Sequence, residues 1–244
     1  MIHSGRHRYK THAGIPHSSS NALSTKLSFY YQCNSGITLS SWADQSANNN
    51  DLLQDIEDDQ AELYLGGYHF EADDNNFYDL QGGQITISSE EGFVIFLVCE
   101  VETTSSNMCI LGLDNTHHFV ELMAGGDSFR LRLSSTNSTV TPTTSNLFVN
   151  ASGRFLVTIE RQSGGTGNIN LYKNGILLDQ DPQVSNTGDG EFITLGARLD
   201  NPSSGRFFDG TMFDIAMIEA SAATRDHVNR IHAYLTSKHG LHGV

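Results

Sequence analysis

The sequence is poor in the devices that staple small or secreted folds together. It has three cysteines (Cys33, Cys99 and Cys109) and four prolines in 244 residues. An odd cysteine count at these spacings fits neither a disulfide framework nor a zinc site, and a reducing cytoplasm is the expected folding compartment. A chain of this length buries enough core to need no such staple. It also lacks an apolar run of roughly 18 residues, the length a membrane-spanning helix requires. The N-terminal stretch MIHSGRHRYKTHAGIPHSSS has basic residues but no apolar segment behind them, so it does not read as a secretory signal. Tryptophan occurs once, at Trp42.

Acidic residues are missing from the beginning of the chain, the first being Asp44. Residues 1–43 carry Arg6, Arg8, Lys10 and Lys26 with four histidines, His3, His7, His12 and His17. Beyond them lie ten basic and 28 acidic residues, a net of −18 within a total of −14. So acidic a body disfavours nucleic acid, whose phosphates demand a basic surface. Residues 1–25 therefore read as a basic, extended arm on an acidic domain, with Arg6, Arg8 and Lys10 as its partner-binding charges. The other reading is a solvated tail.

What is abundant is glycine, serine, threonine and asparagine between short apolar segments, the texture of an all-β fold. From Lys26, KLSFYYQC has strand character. SSWADQSANNNDLLQ is turn-rich, its Asn and Asp side chains suited to bonding their own backbone. AELYLGG and YHFEADDNNFYDL flank a turn at Asp73–Asn76. GFVIFLVCEV is continuously apolar, as a central strand buried on both faces is. MCILGL, HFVELMA and SFRLRLSS follow. In the last, Phe129, Leu131 and Leu133 point one way, Arg130 and Arg132 the other. RFLVTIER alternates likewise through Phe155, Val157 and Ile159. NINLYKNGILL predicts a hairpin with Asn174-Gly175 in a type I′ turn. EFITLGAR and RFFDGTMFDIAMIEA supply the last strands. One helix is predicted from an N-cap at Ser221 to about Lys238, with Val228, Ile231 and Leu235 on its apolar stripe. Gly240 stands where a left-handed residue closes a helix, and Leu241 can fold back onto the last turn.

Four segments in order carry a resemblance. SSWADQSANNNDL is similar to a "W.D.SGNgNdl" stretch. YHFEADDNNFYDL resembles an early aromatic hairpin with an acidic turn. RFLVTIER…GNINLYKNGILL resembles a strand pair ending in "lyvNG". GRFFDGTMFDIAMIEASAATRDHVNRIHAYLTSKHGL resembles closing strands followed by a helix ending in "yL…kyGL". Together they cover most of residues 26–244 and resemble the concanavalin A-like, laminin-G-like jelly rolls, as found in tailed-bacteriophage structural proteins, including those of marine and cyanobacterial phages. The resemblance implies an antiparallel jelly-roll β-sandwich over 26–244 with one C-terminal helix. It also implies a virion role by analogy, because fold does not fix function.

Retaining glycoside hydrolases need two carboxylates about 5 Å apart, and hydrolases of this superfamily resemble E-x-D-x-x-E on one inner strand. The nearest strings here, Asp55-Ile56-Glu57-Asp58-Asp59 and Asp214…Glu219, do not match, and no enzyme activity is expected. No cofactor is expected either. Calcium is the candidate metal, because related modules bind it at a sheet rim with loop oxygens. Asp73, Asp74, Asp114 and Asp200 are the candidate ligands, against the ordinary use of Asp to cap turns. His117 and His118 are adjacent and cannot chelate from one strand. Tyr30, Tyr31, Trp42, Tyr64, Tyr68, Phe77 and Tyr78 are glycan platforms by type and core residues by default, and no glycan contact is assigned among them. The expected function is a multi-copy virion structural protein: capsid decoration, fibre, or tail or baseplate. The arm would anchor it to other virion proteins, with host-surface glycans as a further partner. The alternative is a lectin-like module outside any particle. Neither nucleic acid nor membrane insertion is expected.

Overall fold

The computed structural model describes residues 27–88, 91–102, 106–113, 118–125, 128–133, 136–140, 153–163, 169–181, 189–199, 206–219 and 225–241, with backbone alone at 136–140 and 181. Two antiparallel sheets, A and B, face each other, and each has eight strands. In chain order, β1 (Leu27–Tyr31) lies in sheet A, and β2 (Ser41–Trp42) and β3 (Leu52–Leu53) at one edge of sheet B. The hairpin β4 (Glu62–Tyr64) and β5 (Gly67–Phe70) returns to sheet A, and β6 (Tyr78–Leu80) crosses to sheet B. A small side ladder takes β7 (Ile85–Ile87), and β8 (Phe93–Val101) runs through the middle of sheet A. Sheet B is then extended by β9 (Met108–Gly112), β10 (Phe119–Leu122), β11 (Phe129–Leu133) and β12 (Thr136–Val140). The next three, β13 (Phe155–Arg161), β14 (Ile169–Lys173) and β15 (Ile176–Asp181), complete one side of sheet A. Among the last strands, β16 (Gly190–Phe192) pairs with β7, and β17 (Thr194–Leu195) enters sheet B. A second small ladder joins β18 (Ala197–Arg198) to β19 (Arg206–Phe207), and β20 (Gly210–Glu219) closes sheet A. The helix α1 (Arg225–His239) follows.

The expected alternations hold in most strands. Phe129, Leu131 and Leu133 join the core between the sheets, as do Phe155, Val157 and Ile159. β8 is buried on both faces: Phe93, Ile95, Leu97 and Cys99 enter the inter-sheet core, while Val94, Phe96 and Val98 pack toward α1. Asn174 and Gly175 have φ of 49° and 82°, the pair of positive values that a type I′ turn requires. All three cysteines are buried and none is in a disulfide.

Two expectations need correction. Asp73–Asn76 does not turn a hairpin, because β5 and β6 lie in different sheets and the segment carries the chain across the sandwich. The hairpin turn of this region is Leu65-Gly66, between β4 and β5. EFITLGAR is not one strand but parts of β16, β17 and β18, interrupted at Gly196, whose φ is 87°. A Cβ on Gly196 would stand 2.5 Å from the Phe70 ring, so the break is built around a missing side chain.

β20 carries a bulge between Met212 and Asp214. Met212 and Ile215 both enter the inter-sheet core, whereas Phe213 packs on the helix side. Unbroken alternation from Met212 would put Asp214 among apolar side chains. The extra residue instead turns its carboxylate toward α1, a common use of a bulge.

The helix lies across the outer face of sheet A. Val228, Ile231 and Leu235 are buried there with Leu241. Its C-terminus closes as the sequence predicts: Gly240 has φ 65°, and the Leu241 N–H donates to the Thr236 carbonyl at 2.8 Å. The helix starts at Arg225, and the expected N-cap at Ser221 lies outside the described residues. Replacing fully buried Ile231 with Ala should lower stability by about 2–5 kcal/mol in urea unfolding. A loss under 1 kcal/mol would mean that the helix contributes little to the fold.

Candidate functional site

Four carboxylates are buried among the described residues: Asp44, Glu121, Glu160 and Asp214. A buried carboxylate is tolerable only when paired and hydrogen-bonded, so each marks a place where the chain has invested in polar structure. Asp44 closes its own loop, accepting from the N–H groups of Tyr30 and Ser46 at 2.8 Å each and of Asn50 at 3.0 Å. It organises the turn-rich stretch around Trp42, whose indole N–H donates to the Gln32 carbonyl at 3.0 Å.

Two others fasten α1. Asp214 accepts from Lys238 Nζ at 2.8 Å and from Tyr30 Oη at 3.0 Å, and pairs with His239 Nε2. Lys238 and His239 both stand on the last turn, where the helix dipole also favours the positive charge of Lys238. At the other end, Glu160 accepts from Asn170 Nδ2 at 2.9 Å, from Tyr172 Oη at 2.7 Å and from Arg225 Nη2 at 2.7 Å. Burial pushes the Glu160 carboxyl up, but these hydrogen bonds and the Arg225 charge outweigh it and hold it below its ordinary range. Midway, His232 Nε2 and Thr158 Oγ1 share a hydrogen bond of 2.9 Å. Burial, with the Arg225 charge adding to it, lowers the His232 pKa to about 4.

Glu121 has a different setting. It lies on β10, fully buried on the outer face of sheet B, directly across from Arg130 on β11. The β18–β19 hairpin folds over that face: a Cβ on Gly112 of β9 would stand 2.3 Å from the Ala197 carbonyl oxygen. The hairpin delivers Arg198 and Arg206, whose Nη1 atoms reach Glu121 at 2.9 and 2.7 Å. Arg130 Nη2 is bonded to the same carboxylate. The Arg130 and Arg198 guanidiniums also lie 4.9 and 4.8 Å from the centroid of the buried Phe119 ring. Arg132 stands opposite Phe119 on the same face.

The sequence-predicted positions distribute unevenly. Arg6, Arg8 and Lys10 lie outside the described residues, as do Asp114 and Asp200. Asp73 and Asp74 are exposed neighbours in a short 3-10 turn. That loop is organised by Asn76, whose side chain accepts from the Glu71 N–H at 2.7 Å and donates to the Gln60 carbonyl at 3.1 Å. Among the described residues no three His, Cys, Asp or Glu side chains are placed to hold a metal ion. Asp55, Glu57 and Asp58 are exposed and Asp59 is half-buried, and Asp214 is tied to the helix. Of the aromatic candidates, Tyr30, Tyr31, Trp42, Tyr68 and Tyr78 are core residues and Phe77 is half-buried. Tyr64 is 50% exposed.

Tyr64 sits at the β4–β5 tip with its ring 5.9 Å from that of His69. The next residue, Leu65, is 65% exposed and has φ 50°, a left-handed conformation unfavourable for a branched apolar side chain. Glu121, Arg198 and Arg206 were not foreseen as a group. The only signal was the FRLRL alternation, which placed Arg130 and Arg132 together.

No family model matches the chain, and no curated protein matches it. Solved structures do. The binding domain of botulinum neurotoxin serotype C1 superposes with a TM-score of 0.60 at 15% identity, over 88% of this chain and 52% of that one. The binding domain of botulinum neurotoxin DC in complex with SialylT gives 0.55 at 17% identity, with the same coverage. The binding domain of Paraclostridial Mosquitocidal Protein 1 gives 0.55 at 13% identity, over 81% of this chain and 48% of that one. The chain spans about half the length of these domains. The likenesses show its fold, an antiparallel jelly-roll-like β-sandwich.

Two outcomes follow from this geometry. The neutral His232 imidazole is favoured in the folded state, so its contribution is complete above about pH 6.5 and declines as pH falls toward 4. The difference corresponds to about 3 kcal/mol. Thermal melts of the wild type and His232→Gln should diverge across that window and run parallel above it. Replacing Leu65 with Asn, which tolerates the left-handed region, should raise stability by about 1 kcal/mol in chemical denaturation.

Proposed function

We propose that the chain is a non-enzymatic glycan-binding module, carried on a virion as a decoration, fibre or tail protein and attached there through residues 1–25. The observation that carries the glycan reading is the fold shared, over 88% of the chain, with a toxin binding domain solved in complex with SialylT. The buried carboxylates add support. Each is bound to cations or backbone donors that hold the fold, which suits a rigid binding scaffold better than acid–base chemistry. Tyr64 is the platform such a module would use: an exposed aromatic ring on a hairpin tip, beside a residue kept in an unfavourable conformation.

The virion part rests on the resemblance of the strand and helix segments to phage structural proteins and on the charge contrast between arm and body. A basic, apolar-poor arm pays for its ordering on binding, which repeated contacts in a symmetric assembly make possible.

A glycan array and particle co-sedimentation test the two parts separately. The full chain and the chain lacking residues 1–25 should bind the same glycans. Tyr64→Ala should weaken that binding by about 1 kcal/mol, roughly fivefold, with an unchanged melting temperature. Only the full chain should sediment with phage particles. Silence on the array would remove the glycan reading, and arm-independent or absent sedimentation would remove the virion anchor.

A further inference from the structure

The outer face of sheet B gathers arginines around one buried carboxylate, Glu121. Arg130, Arg198 and Arg206 are bonded to Glu121, and Arg132 stands two positions from Arg130 on the same face, so that even with Arg198 set aside three guanidiniums stand beside one buried carboxylate. These arginines are four of the ten basic residues beyond position 43, in a stretch whose net charge is −18. Such a concentration of one sign, against the balance of the molecule, is not what random surface composition produces.

Hydrogen-bond capacity points the same way. A guanidinium offers about five N–H donors, whereas a carboxylate accepts about four bonds. Glu121 already takes one from each of three arginines. The Nε atoms of Arg130 and Arg132 are buried and meet no acceptor among the described residues. Arg132 forms no ion pair with a described residue, although it lies two positions from Arg130 on the same face. An anchoring function explains Arg198 and Arg206, which tie the β18–β19 hairpin to the sheet. It does not explain Arg132. The Arg130 and Arg206 side chains are 20% and 29% exposed, so their outer edges reach solvent.

We propose that this face, between β10, β11 and the β18–β19 hairpin, binds the carboxylate of an acidic sugar, with Arg130, Arg132 and Arg206 as its donors; the proposal rests on the glycan-binding reading. A planar guanidinium edge matches a carboxylate through two parallel bonds. The charge distribution selects a glycan with one acidic group over a polyanion. A single carboxylate profits from the local guanidiniums, whereas a polymer of phosphates or sulfates extends beyond a Debye length of about 8 Å into the repulsion of the acidic body. Phe119 is buried beneath the arginines, so selectivity here comes from charge and not from stacking.

The test is calorimetric titration with matched sugars: sialyllactose against lactose, and a glucuronate-terminated disaccharide against its glucose-terminated counterpart. At least one acidic member should bind ten-fold or more tighter than its neutral partner. Arg132→Gln should erase most of that preference while leaving the melting temperature and any neutral-sugar binding unchanged. Arg206→Gln should do the same if the hairpin stays docked, which near-ultraviolet circular dichroism reports. Equal binding of acidic and neutral members, or a preference that survives Arg132→Gln, overturns the proposal and leaves the glycan reading standing. Failure of these four sugars alongside array binding of neutral glycans does the same. No glycan binding of any kind removes both.

Discussion

Strand β20 ties the two halves of the chain together. Along one edge it pairs with β8 from Gly210 to Glu219. Along the other it pairs first with β5 and then with β1, the earliest described strand. Pairings this distant in sequence carry a large loop-closure cost, which is repaid only when the apolar faces of both sheets are buried together. The bulge at Phe213 and Asp214 lets that frame carry a charge. It keeps Met212 and Ile215 in the core and hands the carboxylate to the last turn of α1.

The two outer faces of the sandwich are finished in opposite ways. Sheet A is covered by α1, held by an apolar stripe and by polar fastenings near both ends and the middle. Asp214 and Glu160 are matched there by the cations and neutral donors that face them. Sheet B is crossed by a two-stranded hairpin whose arginines share Glu121 with Arg130, and Arg132 stands beside them on the same face. Balanced charge on one face reads as fastening; clustered guanidiniums on the other read as affinity for an anion.

Much of this was legible in the sequence because it depends on local pattern. The period-two alternation of FRLRL and FLVTIER, the Asn174-Gly175 turn, and the Val228, Ile231 and Leu235 stripe closed by Gly240 each report on residues close together in the chain. The crossing between β5 and β6 was misread as a hairpin, because an Asp- and Asn-rich segment reads the same whether its flanking strands pair or separate. The arginine cluster was half visible. Alternation put Arg130 and Arg132 on one face, but Glu121 comes from a neighbouring strand, and Arg198 and Arg206 arrive from about 65–75 residues further on. Only the register of β10 with β11 and the docking of the hairpin on Gly112 bring them together.

The most direct test of the central claim, that a rigid sandwich presents the outer face of sheet B to an acidic sugar, in addition to the Tyr64 tip, is amide hydrogen exchange with and without a bound acidic glycan found on the array. The account predicts slowed exchange in β10, β11 and the β18–β19 hairpin, with the β8 and β20 amides exchanging slowest in both states. Protection under α1 with none on sheet B would contradict it and move the binding surface to the opposite face.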